Sequence, residues 1–178
     1  DYAPDHAILA SNTSGLSITK IGEATDRPEQ VVGTHFFNPP VKMDLVEVVH
    51  GEQTSEATLE AAHDFVDDLG KRAIDVRRDV HGFIVNNVML PFIEEAAWML
   101  HEGETDVRQA DAAMVYRRGY PMGPFELADY TGIDIAAHFR EDTDLDAPPT
   151  IAEKVANENL GKKTGQGFYD WEGDGPDY

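Results

Sequence analysis

The chain has 178 residues, room for one sizeable core or two modest domains, and its 41% apolar and 9% aromatic content supports a packed globule. Thirty-four acidic residues against 14 basic ones give a net charge of −20, a surface that repels nucleic acid and anionic membrane, so neither is an expected partner. The absence of cysteine excludes disulfides and thiolate chemistry and fits a reducing cytoplasm.

Taken in chain order, residues 1–50 read as strands with short links. The start, Asp1-Tyr2-Ala3-Pro4-Asp5, is acidic, has no basic end leading into an apolar run, and reads as mid-domain rather than as a signal peptide. Ala7-Ile8-Leu9-Ala10 is a buried-type strand, and Leu16, Ile18, Ile21 and Ala24 predict a short helix over 17–24. The β-branched and aromatic run Val31 to Phe37 and the run Leu45-Val46-Glu47-Val48-Val49 are the next strands. Asn38-Pro39-Pro40 between them must turn, because consecutive prolines cannot donate to a ladder. Thr54-Ser55 caps a helix to Leu69 with Leu59, Ala62, Phe65, Val66 and Leu69 on its apolar face and Gly70 as its stop. Ala73 to Val76 is a last strand.

After Asp79 the pattern becomes helical. A long amphipathic helix is expected over Gly82–Glu102, ended by Gly103, and a second from Thr105 to about Val115. Pro124 is placed to start a helix over Phe125–Tyr130, followed by helices over Ile133–Arg140 and Ile151–Asn159. The segment Gly161 to Trp171 is a glycine-punctuated loop running into an aromatic strand or tail, and Trp171 to Pro176 looks like a terminus or linker. No apolar stretch approaches the roughly 18 residues of a membrane span. The chain therefore divides near residue 80 into an α/β piece and an all-helical piece.

His35 and Glu47 stand twelve residues apart on strands joined through the proline turn. Adjacent strands can bring them side by side, and a carboxylate that holds an imidazole fixes its tautomer and supports its charged form. A strand-end His also serves as a satisfied structural residue, but Glu47 between two valines needs a partner. Asn12-Thr13-Ser14 follows the first strand, where open α/β sheets bind ligands; a self-bonded turn explains it equally well. Asn86-Asn87 lies near the start of an apolar helix, where an amide needs a partner; a hydrogen bond between helices is the rival explanation. The closing Gly-x-x-x-Gly-x-Gly follows a helix and precedes none, and no G-x-G-x-x-G follows any strand, so no phosphate-binding fingerprint is present.

His50, His63, His81, His101 and His138 show no metal-like pairing, and no metal is expected. The acids Asp64, Asp67, Asp68, Glu94, Glu95, Glu141, Asp142, Asp144 and Asp146 are dispersed and read as solvated faces. Dispersed acid with few lysines suits concentrated salt, where screening over about 3 Å at roughly 1 M removes self-repulsion; a halophilic cytoplasm is expected.

Six segments, Ser11-Asn12-Thr13-Ser14, His35-Phe36-Phe37-Asn38-Pro39, Leu45-Val46-Glu47-Val48, Gly82-Phe83-Ile84-Val85-Asn86, Gly119-Tyr120-Pro121-Met122-Gly123-Pro124-Phe125-Glu126-Leu127 and Lys162-Lys163-Thr164-Gly165-Gln166-Gly167-Phe168-Tyr169, stand in one order along the chain. In that order and spacing the chain resembles the later part of 3-hydroxyacyl-CoA dehydrogenases. The resemblance implies an α/β remnant of a Rossmann-type dinucleotide-binding domain over 1–79, followed by an all-α substrate and dimerisation domain over 80–178. It implies NAD as cofactor and (S)-3-hydroxyacyl-CoA and 3-oxoacyl-CoA as substrates, in fatty acid β-oxidation or butyryl-CoA metabolism.

By the same resemblance His35 is the catalytic base and Glu47 orients it. Ser14 and Asn86 hold the substrate near its reacting oxygen and thioester, with Ser14 also beside the nicotinamide. Asn38 and Lys163 bind the cofactor. A homodimer through the helical domain is implied. The phosphate-binding glycines, the acid for the adenosine ribose and the basic residues for CoA are expected upstream of Asp1. Taken by itself, the chain is alternatively a noncatalytic helical dimerisation module. Gly15 replaces a second serine that many relatives carry after Ser14, and Arg117-Arg118 stand where small residues are usual.

Overall fold

The computed structural model describes residues 3–141 and 146–171, together with Pro176. The expected terminus or linker at 172–175 and the acids Asp142 and Asp144 lie outside the described residues, as do the side chains of His138 and Glu141. Two compact units divide the chain, Asp1–Asn87 and Val88–Tyr178.

In the first unit, strands β1 (Leu9–Ser11), β2 (Val31–Phe36), β3 (Leu45–Val49) and β4 (Arg72–Val76) form one sheet in the order β1-β2-β3-β4. β1 and β2 are parallel, β2 and β3 antiparallel, and β3 and β4 parallel. The period-2 alternation of a strand divides the valines between two faces. Val32, Val46 and Val48 pack with Leu59, Ala62 and Val66 of helix α2 (Glu56–Asp68). Val31 and Val49 pack on the opposite face with Ile18 of helix α1 (Ile18–Glu23), Val76 and Phe83. Val46 and Val48 are wholly buried, and a valine so placed contributes about 1.5–3 kcal/mol.

Both helices begin where a hydroxyl can accept from the first turn. Ser17 accepts from Lys20 N and Ser55 from Thr58 N, as capping serines do. The expected apolar face of α2 is wider than its buried face. Phe65 and Leu69 are about half exposed, because the sheet beneath is reached only by the Leu59, Ala62 and Val66 stripe.

Helix α3 (Val85–His101) starts later than the expected Gly82. Phe83 has φ 53° and Gly82 φ 74°, left-handed backbone that cannot continue a right-handed helix, so residues 81–84 form a turn instead. Val88 and Ile84, assigned to the apolar face from sequence, are exposed.

In the second unit, α3 is followed by α4 (Val107–Arg118), α5 (Pro124–Thr131), α6 (Ile133–Glu141) and α7 (Pro149–Ala156). The cap of α4 is Asp106, which accepts from Gln109 N, rather than Thr105, and the helix runs to Arg118 before Gly119 closes it at φ 71°. Leu90, Ile93, Ala97, Phe125, Ile133 and Ile151 form the centre of the core. Glu94, read as solvated from its spacing, is buried here at 4% exposure.

Two buried carboxylates join the irregular parts of this unit. Asp111 accepts from Phe125 N and Glu126 N at 2.8 Å each and from Tyr169 Oη at 2.9 Å, capping α5 from another helix because Gly123 has no side chain to do so. Asp129 accepts from Phe168 N, Tyr169 N and Trp171 Nε1 at 2.8, 2.8 and 2.9 Å. Burial pushes both carboxyls above their ordinary range, against the opposing effect of these bonds. Asp129 also explains two of the three glycines of the closing segment. A Cβ on Gly167 would stand 2.1 Å from Asp129 Oδ1, and one on Gly161 2.3 Å from the Asp129 carbonyl. The closing segment, expected as a loop running into an aromatic strand or tail, holds a 3-10 turn over Lys162–Thr164 and isolated bridges.

Candidate active site

The antiparallel register sets His35 directly opposite Glu47, so both side chains leave the same face of the sheet. His35 Nδ1 lies 2.7 Å from Glu47 Oε2. His35 is 5% exposed and Glu47 is fully buried. The other carboxylate oxygen, Oε1, accepts from Ile84 N and Val85 N at 2.9 Å each. These are donors at the start of α3, which have no partner inside the helix, and the positive end of the helix favours an anion there. Three donors satisfy the buried charge. The ionised acid can only accept, so the proton between it and the imidazole sits on Nδ1 and Nε2 is left with its lone pair. Phe37 and Phe83 flank the ring, with centroids 4.7 and 5.5 Å away, and hold its plane.

Because β1 and β2 are parallel, their carboxyl ends share one edge of the sheet, the place where open α/β folds carry ligand-binding loops. Ser14 follows β1 and Asn38 follows β2; both are exposed. Asn12 Oδ1 accepts from Phe36 N at 2.9 Å, and Thr13 Oγ1 accepts from Leu16 N at 2.8 Å. The turn is thus braced by Asn12 and Thr13 rather than by Ser14.

Asn86 is half-buried in the first turn of α3. Its neighbour Asn87 donates from Nδ2 to the carbonyls of His81 and Phe83, both at 2.6 Å, closing the 81–84 turn rather than bridging helices. Lys163 belongs to the second unit, where its ammonium pairs with Asp134. The structure therefore brings His35 and Glu47 together and sets Ser14 and Asn38 at one sheet edge, while Lys163 stands in a different unit. Sequence reasoning missed the amides of Ile84 and Val85; the available signal is Gly82, a break ahead of the helix rather than its first residue.

Away from this edge, His50 Nε2 and His63 Nε2 meet Asp75 Oδ1 at 2.7 and 3.0 Å, a pairing their spacing does not reveal. Burial acts to raise the Asp75 carboxyl, but the two imidazoles hold it below its ordinary range. Their point of convergence is an oxygen of the acid itself, and among the described residues no group of His, Asp and Glu is arranged to hold a metal ion. Asp79 likewise stays below its ordinary range despite burial, because Ser17 Oγ and Thr19 N donate to it at 2.6 and 2.8 Å. No helix among the described residues is long and apolar enough to cross a membrane.

The first unit thus carries polar loops at the shared edge of β1 and β2 and a braced imidazole, and a helical unit follows it along the chain. Residues 1–80 match the family described as 3-hydroxyacyl-CoA dehydrogenase, NAD binding domain, and residues 82–171 match 3-hydroxyacyl-CoA dehydrogenase, C-terminal domain. The chain is 44% identical over 177 residues to a 3-hydroxybutyryl-CoA dehydrogenase of Bradyrhizobium diazoefficiens, covering 96% of this chain and 60% of that protein. It is 42% identical over 176 residues to the human mitochondrial hydroxyacyl-coenzyme A dehydrogenase, covering 94% and 56%. The crystal structure of (S)-3-hydroxybutyryl-CoA dehydrogenase from Ralstonia eutropha superposes with a TM-score of 0.89 at 37% identity, over 96% of this chain and 62% of that one. The chain belongs to the 3-hydroxyacyl-CoA dehydrogenase family. It spans 56–60% of the length of these two curated relatives.

Proposed function

We propose that the chain forms the later part of an NAD-dependent (S)-3-hydroxyacyl-CoA dehydrogenase, interconverting 3-hydroxyacyl-CoA and 3-oxoacyl-CoA in fatty acid β-oxidation or butyryl-CoA metabolism. The observation that carries this reading is the buried His35–Glu47 pair, whose geometry commits Nδ1 to the carboxylate and leaves Nε2 to receive a proton. In the oxidation, Nε2 of His35 takes the proton of the 3-hydroxyl as the C3 hydride departs, and returns it in the reverse direction. Glu47 holds the ring's orientation and supports the imidazolium. NAD supplies the hydride acceptor when bound. The exposed side chains of Ser14 and Asn38 at the shared edge of β1 and β2 fit contact with the nicotinamide end. Ser14 and Asn86 would hold the substrate near its reacting oxygen and thioester, and Lys163 would contribute to the cofactor site.

Residues 1–79 form the last part of the dinucleotide-binding domain in this reading, and 80–178 the helical substrate and dimerisation domain of a homodimer. The net charge of −20 supports a halophilic cytoplasm as its setting. In the full-length enzyme, His35→Gln should lower acetoacetyl-CoA-dependent NADH oxidation by about 10²–10⁴-fold with NADH affinity nearly unchanged. Native turnover in that variant refutes the mechanism. A second reading is favoured by the partial span of the relatives' length: alone, the chain is a noncatalytic dimerisation module. A dimer by light scattering with no NADH oxidation supports this reading, and robust turnover by the chain refutes it.

A further inference from the structure

The loop that carries Ser14 is fastened at both ends. Its start is held by Asn12 on the amide of Phe36, the residue after His35. Its far end is held by a histidine that the mechanism does not use: His81 Nδ1 donates to the carbonyl of Gly15 at 3.2 Å. The His81 ring also fills the space that a side chain at position 15 would need. A Cβ there would stand 2.8 Å from Cε1 and 3.1 Å from Nδ1 of the imidazole. Gly15 is not one of the positive-φ glycines, so what excludes a side chain is this contact and not the backbone conformation.

The backbone of the same histidine belongs to the turn that serves Glu47. Its carbonyl and that of Phe83 accept from Asn87, which closes residues 81–84 so that Ile84 N and Val85 N meet Glu47. One residue thus contacts the substrate loop with its ring and the base's carboxylate turn with its main chain.

We propose that His81 is a positioning residue for the reaction, its ring setting the Asn12–Leu16 loop, and Ser14 with it, against the turn that holds Glu47. The inference rests on the functional reading of His35 and Ser14 given above and adds a residue that touches no reacting atom. His81 and Gly15 act as a pair: the ring occupies the space that a side chain at position 15 would need, and the Gly15 end of the loop is held by the ring.

Amide hydrogen exchange of the 178-residue chain, followed by NMR, tests the contact without reference to catalysis. In His81→Ala, exchange at Gly15 and Leu16, whose amides donate to Thr13 Oγ1, should accelerate by about tenfold, the loss of roughly one hydrogen bond, while Ile84 and Val85 keep their protection. His81→Gln, whose amide can donate to the Gly15 carbonyl, should restore slow exchange. Gly15→Ala perturbs the contact from the other side, and its effect should largely vanish in the His81→Ala background. In the full-length enzyme, His81→Ala should lower kcat by about tenfold with the KM for NADH little changed, and His81→Gln should recover it.

Unchanged exchange at Gly15 and Leu16 in a folded His81→Ala chain, or additive effects of the two substitutions, overturns the proposal. Native kcat in His81→Ala alongside lost kcat in His35→Gln overturns the positioning role alone. Native kcat in both variants overturns it together with the functional reading on which it rests.

Discussion

Replacing Glu47 by Gln keeps the size of the side chain and removes its charge where it is completely buried. The carboxylate accepts from His35 Nδ1, Ile84 N and Val85 N. A glutamine can turn its carbonyl toward the two amides, but its NH2 group then faces Nδ1. The imidazole must present Nδ1 as an acceptor and carry its proton on Nε2, the atom that should receive the substrate's proton. A general base worth about 10²–10⁴-fold in rate is disabled, and kcat should fall by a factor in that range. The cost in folding is separate. A bond to a charged acceptor contributes about 1.5–3 kcal/mol and one between neutral groups about 0.5–1.5, so three weakened bonds set an upper limit of roughly 3–4 kcal/mol. The easier burial of a neutral amide offsets part of this, leaving a loss of about 1–3 kcal/mol. NADH oxidation by the full-length enzyme with acetoacetyl-CoA reads the first effect, and urea unfolding of the 178-residue chain reads the second. Turnover within about threefold of native, far inside the general-base range, would refute the tautomer argument.

Asp129→Asn should remove a pH dependence. Burial holds this carboxyl above its ordinary range, so the folded chain binds its proton more tightly than the unfolded one. The resulting stabilisation is full below the unfolded value near 3.8 and is lost as pH rises through the raised folded value. Urea unfolding from about pH 4 to about pH 7 should show a flatter curve in the variant and a cost of roughly 1–3 kcal/mol near neutrality, where the new NH2 group faces an N–H; an unchanged slope refutes the assignment. Ser17→Ala removes both the cap of α1 and a donor to Asp79 and should cost about 1 kcal/mol by the same measurement. The lowered Asp79 carboxyl has the opposite sign: its contribution is present above the unfolded value and is lost as pH falls through the lowered folded one. For the whole chain, Tm should rise with added KCl as the charge of −20 is screened, and a flat or falling Tm removes the halophilic reading.

What could be read from the residues follows the reach of each physical signal. The β2–β3 pair is legible because two alternating runs flank a double proline, and alternation puts every second side chain on one face. Glu47 between valines asks for a partner, and His35 on the neighbouring run is a candidate that strand pairing can bring beside it. The division of labour at Glu47 is not legible, since it depends on Phe83 adopting left-handed backbone and delaying α3 to Val85. Asp111 and Asp129 look in sequence like ordinary helix-surface acids. Their donors come from segments distant in sequence: the first amides of α5 and Tyr169 for Asp111, and Phe168, Tyr169 and Trp171 for Asp129. The exposure of Phe65 and Leu69 escapes prediction for a related reason: periodicity reports which side chains share a face, not how far the opposing sheet extends.

The two amides at the head of α3 divide mutational tolerance unevenly between neighbours. Ile84 and Val85 give Glu47 only their main-chain N–H groups, so a wide choice of side chains at both positions leaves the acid's partners intact. Proline is the exception at either one, because it deletes a donor from an anion with no water to turn to. Freedom of identity there coexists with an absolute requirement for a proton on nitrogen.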